Sequence, residues 1–173
     1  MIVVRVVEEH DLPLLVSRFP EGAPVNRHVE RFEGQQAGDV TCLAAWDGNA
    51  PIGYVFVSWL GGRCQRTDKA EELGCAEIGD LAVVEVTRGQ GIGRRLMEAA
   101  EELVRNQGLS TVGLSVAARN PKQNAARALY KKLNYREAGY GEYAVTYAYT
   151  DLDGNTHRDE DQYVYLVKSI ESG

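Results

Sequence analysis

The chain has 173 residues and a mass of 19.1 kDa, with 44% hydrophobic and 25% charged residues; this fits one ordinary folded domain, 1–173, and excludes a fibrous or disordered chain. A net charge of −6 and a pI near 5.1 argue against a surface that tracks nucleic-acid phosphates, and no apolar run approaches the ~20 residues that span a bilayer. The apolar start turns acidic too soon for a signal peptide, and Cys42, Cys64 and Cys75 are odd in number with no CxxC pair, so a reduced, cytoplasmic protein is expected.

Residues 2–7 read as a first strand. Residues 11–18 and 25–36 have the length of short helices, the second entered through Pro24 at its first position. Residues 41–46 and 52–60 are β-rich and flank Asp47-Gly48-Asn49, which predicts a hairpin. In the second of these strands Ile52, Tyr54, Phe56 and Leu60 are expected on one face, with Val55, Val57 and Trp59 on the other. Residues 61–74 are polar and read as a loop. Residues 76–84 form a further strand, followed at once by Gly89, Gly91 and Gly93. There the apolar period changes from two to 3.6: Ile92, Leu96, Ala99 or Ala100, and Leu103 share a helix face that ends at Gly108. Residues 109–117 predict another strand. Asn120-Pro121 supplies an N-cap and a first-turn proline, and Ala126, Leu129 and Leu133 form the apolar stripe of the helix that follows. Residues 135–170 are β-like and hold seven of the nine tyrosines. This order predicts a mixed α/β (α+β) domain, a central mixed sheet flanked by about four helices.

Strand, glycine-rich turn and helix in direct succession make an anion-binding arrangement. The first helical N–H groups are unpaired, and glycine admits a ligand close to the backbone. Here the pattern is Arg88-x-x-Gly91-x-Gly93, with Arg94 and Arg95 just beyond. No Gly-Lys-Ser/Thr follows, so it is not a Walker loop. Arg94 would fill the third small position of a dinucleotide fingerprint and is too large for it. What remains suits a pyrophosphate with additional negative charge; a plain turn is the alternative.

Residues 78–96 resemble the acetyl-CoA motif of the GNAT superfamily of N-acetyltransferases. Residues 120–135, N-P-K-Q-N-A-A-R-A-L-Y-K-K-L-N-Y, are similar to that family's next helix, with Tyr130 ten residues after Asn120. The element order extends the resemblance, by pattern, over the rest of the chain. It implies a GNAT-like acyl-CoA N-acyltransferase fold, acetyl-CoA as acyl donor, and direct attack by a primary amine of a small molecule or protein in a ternary complex. The implied cofactor-binding set is Leu81, Ala82 and Val83, then Arg88, Gly89, Gln90, Gly91, Ile92, Gly93 and Arg94, and finally Asn120. Asn120 is equally well read as a helix cap, and Arg95 as a solvated side chain. Homodimers are common among sequences of this kind.

Attack on a thioester sets three tasks: holding the oxyanion, protonating the thiolate, and deprotonating the amine. By position the resemblance gives the first to backbone N–H groups of Leu81, Ala82 and Val83, chiefly Val83. Tyr130 matches the general acid; a core aromatic is the other reading. With reference pKa values of ~10 and ~8.5, full transfer from phenol to thiolate costs roughly 2 kcal/mol before local tuning. In spermidine-type relatives the base is a glutamate nine residues before the motif arginine, and here that residue is Gly79. Glu77 lies two residues earlier on the same expected face and is the candidate base; a strand-end carboxylate in water is the alternative. Asp80 is expected on the opposite face, and a water chain could also serve.

No metal site is expected: His10, His28 and His157 are scattered. Asp151, Asp153 and Asn155 read better as a hairpin turn than as a calcium loop, because position twelve is Gln162. The run Asp159-Glu160-Asp161 reads as a solvated rim, or as a lure for a cationic substrate. The acceptor itself is not legible; the resemblance puts its contacts among residues 18–36, the 61–74 loop and the last strands. A non-catalytic acyl-CoA-binding module is the competing class, and retention of Tyr130 favours the enzyme.

Overall fold

The β-rich runs assemble into one eight-stranded sheet in the order β1-β2-β3-β4-β5-β8-β6, with β7 on the free half of β8. The structure, a computed structural model, describes residues 1–20, 27–63, 67–151 and 153–171. The strands are β1 Ile2–Val6, β2 Val40–Asp47, β3 Ala50–Ser58, β4 Ala76–Val83, β5 Thr111–Ala117, β6 Arg136–Glu137, β7 Tyr143–Thr150 and β8 Thr156–Ser169. The helices among the described residues are α1 Leu12–Arg18, α2 Arg27–Gln36, α3 Lys69–Leu73, α4 Ile92–Asn106 and α5 Asn124–Lys132. Neighbouring strands run antiparallel except β4 and β5. Pro24 and Cys64 lie outside the described residues.

Two cores follow from the period-two alternation of the strands. One lies between the sheet and α4 and α5: Val55, Val57, Ile78, Val112, Leu114 and Val116 meet Leu96, Met97, Ala100 and Val104. The other lies between β2–β3 and α1–α2 and holds Val7, Leu15, Phe19, Tyr54 and Phe56. In α4 Ile92, Leu96, Met97, Ala100 and Val104 are buried while Ala99 and Leu103 are half-buried, so truncating the fully buried Leu96 to Ala would cost about 2–5 kcal/mol. At the start of α1, Asp11 accepts the Glu8 N–H at 2.9 Å and both Arg5 guanidinium nitrogens at 2.6 and 2.8 Å. This closes the 3₁₀ turn Glu9–Asp11 that leads into α1 and adds a bidentate ion pair to it.

Several expectations change. The polar 61–74 segment contains α3, ended by Gly74 at φ +64°, a conformation glycine adopts without steric cost. That helix is the fifth, against about four expected. The helix expected from Asn120 starts as a 3₁₀ turn, Pro121–Gln123, and becomes α-helical only at Asn124. Leu60 lies beyond β3 and is exposed. Ile52 sits where β3 gains a residue against β2, between Trp46↔Pro51 and Ala45↔Gly53. The bulge turns Ile52 onto the α4 side with Val55 and Val57, away from Tyr54 and Phe56.

Candidate active site

The parallel pairing of β4 and β5 consists of Ala76↔Val112 and Glu77↔Gly113 and goes no further. Beyond that point β4 stays with β3 and β5 stays with β8, so the sheet opens into a V. Val84 N–H donates to Ile52 O at 2.9 Å. By alternation the N–H and C=O of Val83 then point away from β3 and into the opening. The carbonyl takes the Arg88 Nε at 3.1 Å, while the N–H faces the gap.

The glycine loop closes the upper end of β4. Gly89 and Gly91 hold φ of +77° and +79°, and Gly91 is the N-cap of α4. Among the described residues no backbone carbonyl accepts an N–H from residues 89–94; the first to be paired is Arg95, bonded to Gly91 O at 3.0 Å. This run of open donors at a helix N-terminus, with Arg88 exposed beside it, fits a pyrophosphate. Its members are not equivalent. The Ile92 side chain is core, leaving only its N–H for a ligand. A Cβ on Gly93 would stand 3.2 Å from Leu129, so this glycine also lets α4 approach α5. Arg94 is bonded to Glu98 at 2.7 Å and remains largely exposed. Arg95 is not merely solvated: it donates to Ile2 O at 2.8 Å and ties α4 to β1.

Asn120 accepts the Lys122 N–H at 3.0 Å, which bears out its reading as a cap. Arg127, which sequence reasoning missed, ties the end of β5 to α5 by donating to the carbonyls of Ala117 and Asn120 and to the Asn124 side chain. Tyr130 is 7% exposed, and its ring belongs to the α4–α5 core, 5.9 Å from that of Tyr135. Its hydroxyl has no hydrogen-bond partner among the described residues. Burial pushes its pKa up to about 12. Tyr135, by contrast, donates to the buried Glu101 at 2.9 Å, and Lys168 holds that carboxylate's other oxygen at 2.6 Å.

On the opposite face of the V lies Glu77, 2% exposed, which corrects the picture of a carboxylate in water. Thr67 donates to its Oε2 at 3.0 Å, and the Tyr165 hydroxyl is a second partner. Burial raises its pKa above the ordinary carboxylate value, against the pull of these two hydrogen bonds. Tyr165 lies across Gly113, where a Cβ would stand 2.4 Å from the phenol oxygen. Nearby, the Tyr143 and Ser115 hydroxyls are 2.8 Å apart, and Lys69 Nζ lies 4.0 Å from the Tyr143 ring centroid. Gly79 sits under Phe56, whose Cζ would be 2.7 Å from an added Cβ, so that position has no room for a glutamate.

Asp80 departs from expectation. β4 carries one extra residue between Gly79↔Phe56 and Ala82↔Tyr54. Asp80, at φ +51°, lies in that bulge. The bulge brings Asp80 to the α2 side, where it pairs with Arg31 and, at 4.0 Å, with Arg27. It also reverses the alternation, so Leu81 and Val83 pack toward α4 while Ala82 and Val84 pack toward α1–α2. The V thus has two approaches: the glycine loop and Tyr130 on one face, Glu77 and Asp80 on the other. Among the described residues no group of three or more His, Cys, Asp or Glu is arranged to hold a metal, and no helix is long and apolar enough to cross a membrane.

Comparison with known proteins agrees with this geometry. The model of the acetyltransferase (GNAT) family matches residues 7–135. A Bacillus subtilis (strain 168) protein named as a candidate acetyltransferase is 27% identical over 118 residues, 68% of this chain and 67% of that protein. In fold, the chain is similar to the ribosomal-protein-S18-alanine N-acetyltransferase of Escherichia coli, with a TM-score of 0.67 at 20% identity over 100% of this chain and 96% of that one. It is equally similar, at 13% identity and the same coverage and TM-score, to a Salmonella typhimurium candidate acetyltransferase solved with its cofactor acetyl-CoA.

Proposed function

The chain belongs to the acetyltransferase (GNAT) family, and on that premise we propose that it takes an acetyl group from acetyl-CoA and delivers it to a primary amine in a ternary complex. The observation that carries this reading is the V between β4 and β5, with the Val83 N–H turned into it and the open donors of residues 89–94 beside it. Bound acetyl-CoA supplies an activated acetyl carbonyl and a thiolate leaving group. Residues 89–94 and Arg88 hold its phosphates, Leu81 to Val83 lie along its pantetheine arm, and Asn120 borders the same channel.

Glu77 takes the proton of the amine, directly or through a water, as the amine nitrogen bonds to the acetyl carbon. Its raised pKa brings it nearer to neutral pH, where a base is more effective. The Val83 N–H stabilises the negative charge that develops on the carbonyl oxygen. Tyr130 then donates to the departing sulfur as the carbon–sulfur bond breaks. With its pKa near 12, a strong hydrogen bond describes this better than full proton transfer. The two faces of the V separate the substrates, the donor on the α4–α5 face and the acceptor on the α2–α3 face. A single domain in the cytoplasm, monomeric or as a homodimer, completes the reading.

Release of free CoA from acetyl-CoA, measured against a panel of primary amines, tests the transfer. Amine-dependent release supports it. Tight CoA binding with no release for any amine would instead favour a binding module.

A further inference from the structure

Arg31 on α2 is 11% exposed and lies over Phe56, 4.7 Å from the ring centroid. One end of its guanidinium pairs with Asp80 and the Tyr54 hydroxyl is a further partner, while Nη1 is buried with no hydrogen-bond partner among the described residues. Leaving such a donor unmade is costly, and more so for a charged group. One turn earlier on the same helix face, Arg27 shares the same carboxylate at 4.0 Å and is 53% exposed. Two guanidiniums therefore converge on Asp80, leaving an excess positive charge and an open donor. Arg31 also borders a narrow gap beside Leu12, Leu15, His28, Tyr54 and Phe56, no larger than a single water. Asp80 is held at φ +51° in the bulge of β4, on the face that carries Glu77 and three residues before Val83. A strained, non-glycine residue beside the opening is the kind of position where structure is kept for function.

We propose that Arg31, assisted by Arg27, is the carboxylate-reading element of the acceptor site, so that the amine acetylated here also bears a carboxylate. This rests on the acetyl-transfer reading and deepens it. Asp80 holds the second nitrogen of Arg31 and competes with the incoming carboxylate for the guanidinium, leaving Nη1 to donate to it.

The test is calorimetric and needs no turnover. CoA-loaded protein is titrated with a panel of N-acetyl amino acids, small, apolar and ω-amino, each against its carboxamide. The free acid of at least one pair should bind tenfold or more tightly than the amide in wild type. In Arg31→Gln that ratio should fall to near one. Asp80→Asn should tighten binding of the acid severalfold, because it frees both guanidiniums while asparagine tolerates the positive φ. A purely structural ion pair predicts the opposite sign for Asp80→Asn, and a looser or unchanged acid overturns the proposal. Acid-to-amide ratios near one throughout the wild-type panel overturn it as well. Melts check folding; if Arg31→Gln does not fold, Asp80→Asn decides. Arg31-dependent binding of acids with no CoA release from any amine would sink the transfer reading and leave the carboxylate site standing. CoA release that is equal for acids and amides would do the reverse.

Discussion

Thr67 donates its hydroxyl to Glu77 Oε2 at 3.0 Å, so a residue ahead of α3 holds a carboxylate buried in the middle of the sheet. The bond favours the ionised form, and burial opposes it more strongly. Thr67→Val should therefore move the acid limb of the pH–rate profile to higher pH, with a smaller change at alkaline pH. A limb that stays in place would remove Thr67 from the tuning of the base.

Glu77→Gln should lower turnover at neutral pH by 10²-fold or more and lose less at alkaline pH, where the amine is already deprotonated. Stability should move the other way. A carboxyl whose folded pKa lies above its unfolded value contributes stability at low pH that is lost as pH rises through the folded pKa. The glutamine variant should then match wild type below about pH 4 and melt at equal or higher temperature at pH 7–8. Paired melts and initial rates across pH check both signs, and a variant that loses activity and stability in parallel at neutral pH would mark Glu77 as structural.

Tyr130→Phe keeps the buried ring and removes a hydroxyl that makes no hydrogen bond among the described residues, so stability should change by less than about 1 kcal/mol. Turnover should fall about 10²-fold with little change in the KM for acetyl-CoA. Wild-type turnover in a well-folded variant would end the case for Tyr130 as acid.

Gly91→Val should weaken CoA binding at least tenfold, since Gly91 lies within the run of open donors. At φ +79° the β-branched side chain is also strained, so a loss of about 1–2 kcal/mol in stability should accompany it. Calorimetry with CoA and a denaturant melt separate the two effects; unchanged affinity would take the loop out of the argument.

Asp11→Asn keeps an oxygen for the Glu8 N–H but loses the charge facing Arg5. The Arg5 hydrogen bonds hold the Asp11 carboxyl below the ordinary carboxylate range. Its contribution is present above the unfolded pKa of ~4 and is lost as pH falls through the lower folded value. The variant should be less stable by about 1–2 kcal/mol at pH 7, discounted for the partly exposed Arg5, with the difference shrinking below pH 4.

The helices were legible where the signal is local. In α4 the change of apolar period, the opening glycines and the terminal Gly108 lie within one stretch of chain, and the helix runs as that pattern indicates. Asn120 as a cap and the hairpin turn at Asp151, whose Oδ1 accepts the N–H groups of Asp153 and Asn155 at 3.0 and 2.8 Å, were readable for the same reason. Short α3 was missed because its residues are polar and Ala70 packs onto Cys75 just beyond it and onto Tyr165, far along the chain.

The glycine loop and the order of the elements through α5, α3 excepted, follow from residue type and spacing alone, since turn chemistry and apolar period act over a few neighbouring residues. The surroundings of the reacting groups do not. Which face Asp80 occupies was set by one extra residue in β4, and that bulge exists only in the register with β3. Glu77 is buried only in the assembled sheet, and that burial raises its pKa against the hydrogen bonds from Thr67 and Tyr165 on either side of it in sequence. Gly79 excludes a glutamate because the Phe56 ring fills the space above it. Burial and register arise from contacts between residues tens of positions apart, and a period of two carries no information about a partner strand until the two are paired.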